Sequence, residues 1–148
     1  MSKNNDNISA TTNFEITSLE AWQMLQADNK ACIVDVRTVA EWSFVGIPDL
    51  SSIGRELHQI SWRLYPSMCI NQDFAQQLLY FVKKDKQAKL LFLCRSGHRS
   101  AEAREYAVEL GYKNSYNIID GFEGKINKYA HRNNINGWRH NNLPWVQA

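Results

Sequence analysis

The chain has 148 residues, 44% of them hydrophobic and 22% charged, which is about one domain's worth of ordinary globular composition and excludes a wholly disordered or fibrous protein. A formal net charge of +2 is too small to make nucleic acid or an acidic membrane the default partner. Three cysteines without paired spacing speak against a disulfide framework, no apolar run reaches the roughly 18 residues of a membrane-spanning helix, and the polar start lacks a signal-peptide core. A cytoplasmic protein is expected.

In chain order, residues 1–13 are rich in Asn, Ser and Thr, too poor in apolar surface to offset their ordering entropy, and are expected to be a mobile tail ahead of one domain over residues 14–148. Thr17 and Glu20 form a capping box for a helix with Leu19, Trp22 and Met24/Leu25 on one face. Ala31 to Val36 reads as a buried parallel strand. Thr38 and Glu41 cap a short second helix through Trp42 and Phe44, stopped by Gly46 and Pro48. Arg37 and Glu41, four apart, are expected to pair locally. Leu50 to Ile70 has no clear period. Asn71 is expected to cap a helix carrying Phe74, Leu78, Phe81 and Val82, with Lys83, Lys84 and Lys86 as a solvated cationic end. Lys89 to Leu93 is a strand. A helix from about Ser100 presents Ala101, Ala103, Ala107 and Leu110 and stops at Gly111, and Tyr116 to Ile119 is a further strand. Phe122 to Ala148 is Asn-rich, anchored by Trp138, Pro144 and Trp145. Strands alternating with helices make an α/β fold around a mostly parallel sheet.

The chemistry concentrates in Cys94-Arg95-Ser96-Gly97-His98-Arg99-Ser100, between the carboxyl end of an apolar strand and a helix N-terminus, where open α/β sheets bind ligands. The first-turn N–H groups of that helix have no internal partners and carry partial positive charge. Gly97 lets the loop curl so that the N–H groups from Arg95 to Ser100 converge on an anion, with Arg95, His98 and Arg99 around them. A cysteine placed there is expected to be largely thiolate and to attack an electrophilic atom borne by an oxyanion.

This loop resembles the active-site loop of rhodanese-like sulfurtransferases. The resemblance extends to Val34-Asp35-Val36-Arg37 with Glu41-Trp42, to Asp120-Gly121-Phe122-Glu123-Gly124, and to Gly137-Trp138 with Leu143-Pro144-Trp145. The family's usual Gly-His-Ile-Pro-Gly-Ala is reduced here to Val45-Gly46-Ile47-Pro48-Asp49-Leu50. The resemblance implies a five-stranded, mostly parallel sheet flanked by helices on both faces, and sulfur transfer through a Cys94 persulfide. The donor would be thiosulfate or a related anion, bound by Arg95 and His98, and the acceptor cyanide, a thiol or a protein. Loop N–H groups through Ser96, Gly97 and Ser100 would hold the terminal sulfur. Arg99 either binds substrate or turns inward to pair with Asp35, and both readings stay open; Asp35 and Arg37 are supporting residues. Cys32 reads as core, Cys69 as a remote candidate resolving thiol, and His58, His131 and His140 lack metal-ligand spacing, so no metal or cofactor is expected.

The alternatives are a persulfide relay, a non-catalytic binding module on the same fold, and a cysteine phosphatase or arsenate reductase. The last is disfavoured because only four residues separate Cys94 from Arg99, which makes a cradle suited to a single sulfur atom.

Overall fold

The computed structural model describes residues 14–147, so the tail expected over residues 1–13 lies outside the described residues. Along the chain run β1 (Glu15–Ile16), α1 (Ser18–Ala27), β2 (Ala31–Asp35), α2 (Val39–Phe44), β3 (Ile47–Pro48), a 3-10 turn (Ser51–Ile53), β4 (His58–Gln59), β5 (Arg63–Leu64), β6 (Cys69–Ile70), α3 (Phe74–Val82), β7 (Lys89–Leu93), α4 (His98–Glu109), β8 (Ser115–Ile118) and β9 (Trp145–Val146). The two apolar runs of the sequence form the centre: β2 and β7 pair in parallel from Ala31 opposite Lys89 to Asp35 opposite Leu93. The sheet order is β1-β8-β7-β2-β4, and every pairing in it is parallel.

Because alternate side chains of a strand point to opposite faces, β2 and β7 feed two cores. Val34, Leu90 and Phe92 pack with Phe74, Leu78 and Val82 of α3 and with Ala103 and Ala107 of α4. Ile33, Leu91 and Leu93 pack on the other face with Ala21 and Leu25 of α1, and with Phe122 and Trp138. Each fully buried large side chain contributes about 1.5–3 kcal/mol. The sheet is thus covered on both faces, as expected.

Both capping boxes are present, at Thr17/Glu20 and Thr38/Glu41. Several expected details are corrected. The buried face of α1 is Ser18, Ala21 and Leu25, while Leu19 is exposed, because the helix meets the sheet along an i, i+3, i+7 line of mostly small residues. The N-cap of α3 is Asp73; Asn71 lies two residues earlier, where its Oδ1 accepts the Asp73 N–H at 3.0 Å. Phe81 is partly exposed, its ring 5.2 Å from that of His58. Helix α4 begins at His98 instead of Ser100, directly after Gly97, and buries Ser100, Ala103 and Ala107. The untyped stretch supplies the edge strand β4 and the antiparallel β5–β6 hairpin.

The Asn-rich segment folds back across the molecule. Trp138 is fully buried, its Nε1–H donates to the Pro144 carbonyl at 2.7 Å, and β9 pairs antiparallel with β3. Among the described residues no helix is long and apolar enough to cross a membrane.

Candidate active site

Strand β7 is buried from Leu90 to Leu93 and delivers Cys94 to the N-terminal end of α4. Gly97 holds φ at +102°, and a Cβ there would come within 2.5 Å of the Ile119 carbonyl oxygen, so the turn that aims its amide inward needs glycine. The Gly97 N–H donates to Cys94 Sγ at 3.1 Å. Ser100 Oγ stands 3.1 Å from the same sulfur. Cys94 is 1% exposed, yet its sulfur rests against polar groups.

Behind the sulfur lies a fixed polar chain. Asn117 of β8 donates its Nδ2–H to the Gly97 carbonyl at 3.2 Å, which turns Oδ1 toward Ser100 to accept the hydroxyl proton. With that proton committed, Ser100 Oγ turns a lone pair toward the Cys94 sulfur.

Asp35 and Arg37 form a buried bidentate pair, Nε to Oδ1 at 3.0 Å and Nη2 to Oδ2 at 2.8 Å. Arg37 also donates to the Gly46 carbonyl at 2.8 Å, and its guanidinium lies 4.3 Å from the centre of the Phe122 ring. This corrects the expected Arg37–Glu41 pair and the inward Arg99–Asp35 alternative together. Asp35 is satisfied by its near neighbour, so Glu41, facing out from the first turn of α2, meets Arg99 at 2.7 and 2.9 Å. Burial pushes the Glu41 carboxyl up, but the Arg99 hydrogen bonds and charge and the Thr38 donors outweigh it and hold it at about 2. The same hydrogen bonds raise Arg99 above its ordinary value.

Arg95 and His98 are exposed and Ser96 is partly so. They form one wall of a cleft of about 510 Å³ whose other side includes Lys125, Arg132 and Asn136. Arg95 also borders a second cleft, of about 280 Å³, with Glu41, Arg99 and, from the β5–β6 hairpin, Tyr65 and Met68. The turn after β8 is tied to the loop by its backbone: Phe122 N–H donates to the Cys94 carbonyl at 2.9 Å, and Glu123 and Gly124 N–H donate to the Arg95 carbonyl at 3.0 and 3.1 Å. Gly121 permits this approach, since a Cβ there would collide with the Arg95 carbonyl.

Cys32 packs against the core, and burial pushes its thiol up to about 12. Cys69 is exposed on β6. Sequence reasoning missed Asn117, Lys125, Arg132, Tyr65 and Met68. Of these only Asn117 carried a signal, as a polar side chain inside a short strand.

A family model described as the STR4 middle domain, itself a rhodanese-like family, matches residues 14–148. The crystal structure of Rv0390 from M. tuberculosis is 44% identical, covers 90% of this chain and 97% of that one, and superposes with a TM-score of 0.80. The uncharacterized protein RP600 homolog of Rickettsia rickettsii is 43% identical over 130 residues, 88% of this chain and 94% of its own. The thiosulfate sulfurtransferase GlpE of Coxiella burnetii is 30% identical over 109 residues, 74% of this chain and 83% of its own.

Proposed function

This chain belongs to the STR4 middle domain family, a rhodanese-like family, and from that premise we propose that it is a sulfurtransferase carrying sulfane sulfur as a persulfide on Cys94. The observation that carries the reading is the cysteine sulfur at the mouth of α4, receiving the Gly97 N–H at 3.1 Å beside a wall bearing Arg95 and His98. The donor is thiosulfate, the substrate named for the C. burnetii relative, or a similar anion.

In the first half-reaction the Cys94 thiolate attacks the outer sulfur of thiosulfate. A new S–S bond forms, the old one breaks, and its electron pair leaves with sulfite. Arg95 and His98 face the sulfonate oxygens, Arg95 with a planar fork suited to them. The loop amides then hold the anionic outer sulfur. In the second half-reaction cyanide or a thiolate attacks that sulfur, and Cys94 regains the electron pair as thiolate. Arg99 serves the loop as a strut, since Glu41 holds its guanidinium at two points; this weighs against the phosphatase alternative, in which the last arginine must bind substrate. Cys32, Cys69 and Cys94 are all free thiols, which suits a reducing cytoplasm.

Intact-mass measurement after thiosulfate treatment tests the reading. One added sulfur atom is expected in the wild type, removed by cyanide and never acquired by Cys94→Ser. An unmodified wild-type mass with thiosulfate and with a polysulfide donor would overturn it.

A further inference from the structure

Twenty-six residues, 119–144, join β8 to β9 with no helix or strand of their own, whereas loops beyond about 12–15 residues are uncommon in compact domains and usually serve a function. The middle of this loop is held by its own side chains. Asn127 Oδ1 accepts the N–H groups of Tyr129 and His131, both at 2.9 Å, and the Asn127 N–H donates to the His131 carbonyl at 2.8 Å. At its base the Lys125 N–H donates to Asn136 Oδ1 at 2.8 Å, and Arg132 donates Nη1–H to the Gly124 carbonyl at 2.7 Å. The Asn133 N–H donates to the Glu123 carbonyl at 2.8 Å. Ala130 holds φ at +63°, a left-handed conformation that is costly for alanine and persists only where its surroundings enforce it. What this fixed backbone lifts into solvent is apolar: Ile126, Tyr129 and Ile135 are 47%, 67% and 45% exposed. Ile126 shares the larger cleft with Ile119, Arg95 and His98, so the face runs up to the reactive loop.

Charge says what covers this face. Residues 121–148 hold four cations, Lys125, Lys128, Arg132 and Arg139, against the single carboxylate of Glu123, in a chain whose net charge is only +2. The rest of the chain is therefore slightly acidic, and the positive charge collects on this segment. Among the described residues no salt bridge involves Lys125, Lys128 or Arg132. We infer that the loop docks a protein partner, through an acidic surface of that partner set around an apolar side chain. An exposed aromatic with aliphatic neighbours and a charged rim is the make-up of a protein interface, and the cations steer an acidic partner onto it. Three cations interleaved with Ile126 and Tyr129 fall short of the roughly four to eight clustered charges of an anionic-lipid site. Because the loop backbone is already ordered, docking forfeits little conformational entropy. The partner stands beside the Cys94 loop, whatever chemistry that loop performs.

The test is fluorescence anisotropy of a fluorescein-labelled peptide of repeated Glu-Glu-Leu, titrated with the full-length protein, beside the same peptide with Lys in place of Glu. The acidic peptide should bind saturably, about tenfold or more tightly than the basic one, and weaken as ionic strength rises. Tyr129→Ala and Lys128→Glu, both at exposed positions, should each weaken it about fivefold. Lys113→Glu makes the same charge change at an exposed position before the amino end of β8 and should leave binding within about twofold. Equal binding of the two peptides, no saturation, or an equal loss in Lys113→Glu would overturn the inference. Tyr129-dependent binding to single-stranded DNA or to phosphatidylserine vesicles, or a dimer that Tyr129→Ala abolishes, would also overturn it by naming another occupant. The readout is binding to protein that carries no persulfide, so each of these outcomes leaves sulfur transfer at Cys94 standing.

Discussion

Among the described residues one side-chain hydroxyl borders the Cys94 sulfur. Ser100 lies 3.1 Å from Cys94 Sγ, and its proton is turned away by Asn117, whose amide is fixed by the Gly97 carbonyl. Removing the acceptor in Asn117→Ala frees that proton to stabilise the ionised sulfur. One hydrogen bond is worth about 1 kcal/mol, so alkylation of Cys94 by iodoacetamide at neutral pH should quicken about fivefold. In the Asn117→Ala/Ser100→Ala double variant no hydroxyl proton is left to turn toward the sulfur, and that gain should vanish. Identical rates in both variants would show that the chain does not govern the thiol. Little of this was legible in the sequence. The loop motif and Gly97 were readable because their roles are local, but the partner of Ser100 sits on a separate strand and is named only by the fold.

Among the elements, the Arg99–Glu41 pair ties the N-terminus of α4 to that of α2. Glu41 titrates at about 2 when folded, against an ordinary 4.5. A carboxyl depressed on folding stabilises the protein fully above its unfolded value and loses that stabilisation as pH falls toward the folded one. The pair's contribution should therefore fade between about pH 4.5 and 2. Glu41→Gln should flatten that part of the acid-unfolding profile and cost on the order of 2 kcal/mol at neutral pH, the pair being mostly buried; an unchanged profile would contradict the assignment. The sequence marked Glu41 and Arg99 as special yet paired them wrongly, since proximity along the chain favoured Arg37. Asp35 wins Arg37 because both are fully buried, where an unpaired charge is not tolerated. Strands β4, β5 and β6 were invisible because two residues carry no period, whereas β2 and β7, five residues each, stood out as continuous apolar runs.

Over the whole molecule, the segment after β8 closes the fold and walls the larger cleft. Trp138 is its anchor, fully buried and edge-on to Trp22 with ring centroids 5.9 Å apart. Trp138→Ala should cost about 3–5 kcal/mol and, by loosening the turn bonded to Cys94 and Arg95, slow persulfide formation beyond what the stability loss alone explains. Thermal melting and the thiosulfate half-reaction, compared below the melting range, check both parts. Trp138 and Trp145 were legible as anchors, but that Lys125 and Arg132 share a cleft with Arg95 and His98 was not, because that placement depends on backbone bonds to Cys94 and Arg95.

The proposal stands on Cys94 as the sulfur carrier, and the most direct measurement is the sulfite released when micromolar protein meets excess thiosulfate with no acceptor present. A burst of one sulfite per protein molecule is expected, retained in a Cys32→Ser/Cys69→Ser double variant and absent in Cys94→Ser. A burst that survives in Cys94→Ser, or that disappears in the double variant, would contradict it.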